Sequence, residues 1–147
     1  ELIRNGLMRL ELPTTWLDSS LGLIEQPRFD YVFAYGTLMK GMVRANEMQD
    51  GSTFYCKGST KGLLYDIGDY PGMALGDGVV HGEVYKASDM FQFIQRLDWI
   101  EGCGGSDPLF DRTIQEINTE NGKLWAYIYH YARDFDSFTR IESGTWN

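Results

Sequence analysis

One segment of the chain reads as a convincing helix, Asp89 to about Ile100, and the stretches around it are short apolar and aromatic runs broken by glycine. That pattern limits the chain to a strand-rich fold with little helix to cover it. Ser88 is a good N-cap residue for the helix, and Asp89 in its first turn suits the helix dipole. Met90, Ile94 and Leu97 form an apolar stripe at i, i+4 and i+7. The next place on the stripe, i+11, is held by Glu101, with Gly102 following as a C′ residue. A carboxylate therefore stands where the buried face should continue, at the helix end where the dipole disfavours negative charge. Partial burial and the dipole would both raise its pKa, and a Glu held near neutrality can take up a proton and return it. The bland alternative is a Glu that curls to solvent as the helix frays. Asp98 lies beside this face as a candidate second carboxylate; its preferred reading is a structural hydrogen bond to nearby backbone.

The strands follow from the remaining runs. Tyr31–Tyr35 is a short aromatic strand, and Met42 to Met48 a short helix. Thr53–Lys57 and Lys61–Asp66 read as two strands, with Gly58 and Gly62 as bends or bulges. Gly68 to Gly72 is a loop and Met73–Leu75 a short strand. Gly76-Asp77-Gly78 reads as a hairpin turn into Val79–Lys86, where Val80, Gly82 and Val84 face one way and His81, Glu83 and Tyr85 the other. Phe110–Thr119 and Lys123–Tyr131 form a hairpin signalled by Asn121-Gly122. The tail carries Phe135, Phe138, Ile141 and Trp146, which predicts that it packs back. Residues 1–28 differ: Ile3, Leu7, Leu10 and then Leu17, Leu21, Ile24 fall at helical spacing, each stopped by a proline, Pro13 and Pro27. They read as two short helices packing on the following domain or on another domain of a longer chain.

The first strand empties into Gly36-Thr37-Leu38, with Gly41 close behind. Such a turn aims successive backbone N–H groups at one point and can hold a carboxylate, a phosphate or an oxyanion; the plain alternative is a strand-to-loop exit. Net charge is −8 without a Lys/Arg cluster, which argues against nucleic-acid partners and anionic membrane surfaces. No apolar run is long enough to span a bilayer. The 147 residues suit one domain, and the two cysteines, Cys56 and Cys103, show no metal or redox spacing. A cytoplasmic protein is the expectation. Other constellations are weaker. Cys103 with His81 or His130 as a nucleophile pair lacks a recognisable spacing, and Asp66, Asp69 and Asp77 read as solvated turn acids rather than metal ligands. Trp125, Tyr127, Tyr129 and Tyr131 share one strand face, as core or cavity wall. Lys40 is a plausible carboxylate partner near the turn.

Taken in order, Tyr35-Gly36-Thr37-Leu38, then Tyr70-Pro71-Gly72, His81-Gly82-Glu83-Val84-Tyr85, Leu97-Asp98-Trp99-Ile100-Glu101-Gly102, Phe110-Asp111-Arg112 and Ser143-Gly144-Thr145-Trp146, the series resembles the gamma-glutamylcyclotransferase-like superfamily over about residues 29–147. The resemblance implies an α+β fold: a small mixed, largely antiparallel β-barrel with flanking helices; the 1–28 helical extension or linker lies outside it. It implies a cavity between turn and Glu. Tyr35, Gly36, Thr37, Leu38, Pro71 and Gly72 match its substrate-binding residues, and Glu101 its catalytic acid/base. It implies a cofactor-independent reaction on a small γ-glutamyl amine or peptide, whose α-amine attacks its own γ-carbonyl to release 5-oxoproline. One departure is Phe110, where the family usually has the Tyr of Tyr-x-Arg. The competing expectation is a non-catalytic small-molecule or partner-binding module that keeps the cavity.

Overall fold

The computed structural model describes residues 30–42, 44–104 and 106–146; the two helices expected within residues 1–28 lie outside them. The elements are β1 (Tyr31–Ala34), α1 (Ala45–Gln49), β2 (Ser52–Asp66), β3 (Pro71–Ala87), α2 (Met90–Ile100), β4 (Phe110–Thr119), β5 (Gly122–Tyr131) and β6 (Thr139–Arg140). Five strands close into a mixed barrel in the order β3-β1-β5-β4-β2, with β2 pairing back to β3, and β6 extends β2 at Tyr65 and Asp66. β1 runs parallel to β5, with Val32 opposite Tyr127; the other named strand pairs are antiparallel. The fold is the α+β barrel that the resemblance implies.

Strand alternation divides the core in two. Phe33 and Tyr35, Leu64, Val80 and Val84, Ile117, Ala126 and Ile128 fill the barrel interior, every one of the five strands contributing. The alternate residues, Val32 and Ala34, Tyr85, Ile114, Tyr127 and Tyr129, face outwards and are covered by Met48 of α1 and by Met90, Phe93, Ile94 and Leu97 of α2. Trp125, at the outer end of the same β5 face, is half exposed. The amphipathic stripe of α2 is thus the lid on one barrel wall.

Several expected boundaries move. The two strands expected within 53–66 are one strand of 15 residues, and the 71–87 stretch is one strand of 17. Gly58 is not a bend: it pairs with Gly82 and lies where a Cβ would meet Ile117 Cγ2 at 2.8 Å. Gly76-Asp77-Gly78 is no hairpin turn either. The chain reverses at residues 67–70, where Ile67 N–H donates to Tyr70 O, and residues 75–78 bulge opposite Gly62 between the Lys61–Val79 and Leu63–Ala74 pairs. The bulge needs small residues because Leu63 and the Gly62 carbonyl press on Gly76 and Gly78. Asp89, not Ser88, caps α2: its Oδ1 accepts from Gln92 N–H. α1 starts at Ala45 rather than Met42, since successive turns from Gly36 to Ala45 use up the intervening backbone. The β4–β5 turn lies one residue early, with Thr119 opposite Gly122, and Gly122 takes the positive φ of +102°. The tail does pack back: Phe135 stacks near Tyr65 and Tyr131, Ile141 N–H donates to Leu64 O, and Gly144 O accepts from His81 N–H.

Gly82 marks the tightest barrel contact. A Cβ there would sit 2.3 Å from Ala34 O and 2.8 Å from Phe33 Cζ. The carbonyl belongs to β1 and cannot swing aside. Gly82→Ala is expected to destabilise the protein by about 1–3 kcal/mol, read as a lower urea midpoint; an unchanged midpoint would show that the barrel wall yields freely here.

Candidate active site

The turn after β1 is built by its own backbone. Gly36 O accepts from Met39 N–H at 3.1 Å, and Thr37 O accepts from Arg44 N–H at 2.8 Å. The N–H groups of Thr37 and Leu38 have no acceptor among the described residues. Gly36 is required here, since a Cβ would strike Pro71 Cγ at 2.8 Å. That contact ties the turn to the start of β3. Tyr35 is buried, and its hydroxyl donates to Tyr129 O at 2.6 Å, fixing the end of β1 to β5.

Glu101 is the C-cap of α2, with its N–H donating to Leu97 O at 2.9 Å. Gly102 follows at φ +67°, and its carbonyl accepts from Leu109 N–H, which closes the loop back on the helix end. The Glu101 side chain is only 13% exposed. Burial pushes its carboxyl up to about 7, against the opposing pull of the Arg44 guanidinium, whose Nη1 lies 3.7 Å from Oε2. The stripe position therefore does withdraw the carboxylate from water, and desolvation outweighs the pull of Arg44.

Turn and carboxylate share one cavity of about 70 Å³. Of the residues singled out in the sequence, Tyr35, Gly36, Thr37, Leu38, Pro71 and Glu101 line it. Gly72 does not; a Cβ there would meet Tyr131 Cβ at 2.8 Å, so its bareness serves packing beside the site. Tyr129 lines the cavity and Tyr131 does not. Lys40 is elsewhere too: its ammonium lies 3.6 Å from the Phe54 ring centroid. Sequence reasoning missed Arg44, Tyr70, Ile100 and Leu109. Arg44 is the consequential omission. The one local signal for it is its place shortly after a Gly-Thr turn and Gly41, where the chain must fold back past the site. Phe110 presents a buried aromatic wall, its ring 6.0 Å from that of Tyr70.

Asp98 is bonded by side chains rather than by backbone. Tyr129 Oη donates to its Oδ1 at 2.7 Å, and Arg112 Nη1 lies 2.9 Å from its Oδ2. Burial still raises its pKa, with Tyr129 and Arg112 opposing. The group braces Tyr129 beneath the helix end. Cys56 and Cys103 are both free thiols, and burial pushes Cys103 up, which disfavours a nucleophilic thiolate. His130 is half-buried in β5 opposite Asp111, and desolvation lowers it to about 4. Asp66 accepts from Gly68 N–H and Asp77 pairs with Lys61, both at the surface. Among the described residues no three His, Cys, Asp or Glu side chains gather to hold a metal ion.

The burial of Glu101 has a cost in stability with a definite sign. Its folded pKa of about 7 exceeds the ordinary 4.5, so the native state binds this proton more tightly than the unfolded chain. The contribution of this residue to stability is largest below pH 4.5 and is lost as pH rises through 7, by about 3 kcal/mol in all. Glu101→Gln should therefore be more stable than the wild type at pH 8, with the gain vanishing near pH 4. Urea unfolding at both pH values checks this; a variant less stable at pH 8 would contradict it.

The description "Gamma-glutamyl cyclotransferase, AIG2-like" matches residues 32–147. The gamma-glutamylcyclotransferase family protein YtfP of Escherichia coli K12 is 32% identical over 115 residues, covering 78% of this chain and 94% of that protein. The gamma-L-glutamyl-butirosin B gamma-glutamyl cyclotransferase of Niallia circulans is 35% identical over 107 residues, covering 70% of this chain and 67% of that one. Among solved structures, YkqA of Bacillus subtilis is similar at TM-score 0.63 and 29% identity, over 80% of this chain and 39% of that chain. A mouse AIG2-like protein is similar in fold at TM-score 0.61 and 21% identity, over 77% and 86% of the two chains. With the barrel, turn and buried carboxylate in place, the match establishes that the chain belongs to the gamma-glutamyl cyclotransferase, AIG2-like family.

Proposed function

We propose that the protein is a γ-glutamyl cyclotransferase that converts a γ-glutamyl amine or amino acid to 5-oxoproline and a free amine. The observation that carries this reading is the shared cavity: a largely desolvated carboxyl with a pKa of about 7 lies in the same pocket as a turn whose Thr37 and Leu38 N–H groups have no acceptor among the described residues. The family match supports it, as does the cyclotransferase relative from Niallia circulans. Residues 29–147 form the catalytic unit on this reading, with 1–28 as an extension.

The reaction requires a nucleophile and an electrophile already in one molecule. The α-amine nitrogen bonds to the γ-carbonyl carbon, and the bond from that carbon to the leaving nitrogen breaks. Binding the substrate in its folded conformer removes most of the entropic barrier. The α-nitrogen loses two protons between ammonium and lactam N–H. Glu101 takes the first before attack and delivers it to the leaving nitrogen as the C–N bond breaks. It then carries the second to the released amine, which departs as an ammonium, so atoms balance without a cofactor. A pKa near 7 suits both steps, since the same group must be a base and then an acid. The Thr37 and Leu38 N–H groups receive the substrate carboxylate or the developing oxyanion, and a lost oxyanion donor typically costs roughly 3–4 kcal/mol. Tyr35, Gly36 and Pro71 shape that wall.

Glu101→Gln is expected to keep substrate binding and to lower kcat by at least about 100-fold, in line with general acid–base contributions. For the wild type, kcat/KM should rise with pH through about 7, because Glu101 must be ionised in the free enzyme. A 5-oxoproline assay over γ-glutamyl amino acids and γ-glutamyl amines reads both. Ligand binding without 5-oxoproline from any substrate would favour the binding-module reading instead.

A further inference from the structure

We infer that Arg44 sets the leaving-group specificity of this cavity: its guanidinium receives a carboxylate on the departing half, so the preferred substrate is a γ-glutamyl α-amino acid rather than a γ-glutamyl alkylamine. The inference rests on the cyclotransferase reading above.

Four observations lead there. Arg44 is held at the site by its backbone, whose N–H donates to Thr37 O at 2.8 Å. Its side chain lines the cavity yet is 47% exposed, so it stands at the cavity mouth. Its contacts are loose: Nη1 reaches Ile100 O at 3.4 Å and Glu101 Oε2 at 3.7 Å, and the other guanidinium donors have no acceptor among the described residues. Five donors on a rigid fork with one in weak use leave an edge open for a carboxylate. Finally, the Thr37 and Leu38 N–H groups have no acceptor among the described residues, so the turn offers donors of its own to the glutamyl half and Arg44 is not needed there.

Distance makes the assignment specific. Glu101 must reach the scissile nitrogen to protonate it. In an α-amino acid leaving group the carboxylate carbon lies roughly 2.5 Å from that nitrogen. It would therefore fall beside Glu101, within reach of the guanidinium 3.7 Å away. Without a cation there, two carboxylates would face each other in a site poor in water, and the anionic substrate would be repelled. Arg44 removes that repulsion. An alkylamine offers nothing to pair and gains nothing from it.

The test compares kcat/KM for γ-glutamyl-leucine, its leucinamide and γ-glutamyl-3-methylbutylamine, which is the same side chain without the carboxylate. The enzymes are the wild type, Arg44→Gln and Arg44→Lys. The wild type should prefer the acid over the amide and the amine by about tenfold. Arg44→Gln should bring that ratio close to one, and Arg44→Lys should retain part of it. Loss of the Arg44 charge also raises the Glu101 pKa, but this acts on all three substrates alike and cancels in the ratio. A wild type without preference, or an Arg44→Gln enzyme slowed equally on all three, overturns the assignment while leaving the cyclotransferase reading intact. Turnover of none of the three by the wild type overturns the cyclotransferase reading and this one with it.

Discussion

The withdrawal of one carboxyl group from water organises this molecule. Glu101 is buried because the stripe Met90, Ile94, Leu97 seats α2 on the outer face of β1 and β5, and the last turn of the helix carries the glutamate inwards with it. The same seating brings the helix end over the turn that leaves β1. The desolvation that raises the Glu101 pKa is therefore a product of core packing. Loosening the helix would return the carboxylate to solvent and its pKa towards the ordinary value. Arg44 opposes the shift only weakly, from 3.7 Å and half in solvent.

The barrel supplies the rigidity that such a shift needs. Closure between β2 and β3 leaves the ladder between them continuous from Ser52–Ala87 to Asp66–Pro71, apart from two register shifts. Close approaches at glycine lock it to its neighbours: Gly82 against Ala34 O, Gly36 against Pro71, Gly144 against Val79 O. The last of these pins the C-terminal segment beside His81. Tyr129 then links scaffold and site. It lines the cavity, accepts from Tyr35 through its carbonyl and donates to Asp98 through its hydroxyl. The half-buried Asp98–Arg112 pair thus holds a cavity wall in one position.

Much of this was legible along the chain, and the reasons differ by residue. The helix stripe is local and periodic, so both the helix and the anomaly at Glu101 stood out. The strand leading to Gly36-Thr37-Leu38 was visible as an aromatic run with a glycine stop. Gly62 does sit at an irregularity, between the Lys61–Val79 and Leu63–Ala74 pairs, but Gly58 and Gly76-Asp77-Gly78 were misread because a strand glycine has two meanings. It can mark a turn, or it can mark a place where another strand presses close, and only the fold tells them apart: Gly58 lies under Ile117, far away in sequence, and Gly76 under Leu63. Ser88 and Asp89 are both good caps by type, and the hydrogen bond from Gln92 decides between them. Arg44 was invisible for another reason. An arginine shortly after a glycine-rich turn looks like any solvated cation until the turn geometry brings it to the cavity, while Lys40, nearer in sequence, lies over Phe54 instead.

The measurement closest to the centre of this account is the ionisation of Glu101 itself. Protein labelled with 13C at the glutamate side-chain carboxyl, titrated by NMR with Glu101→Gln to assign the resonance, reads that pKa directly. The account predicts a midpoint at about 7. A midpoint near the ordinary 4.5 would mean that the carboxyl is well hydrated, and the proton-shuttle role built on its burial would be contradicted.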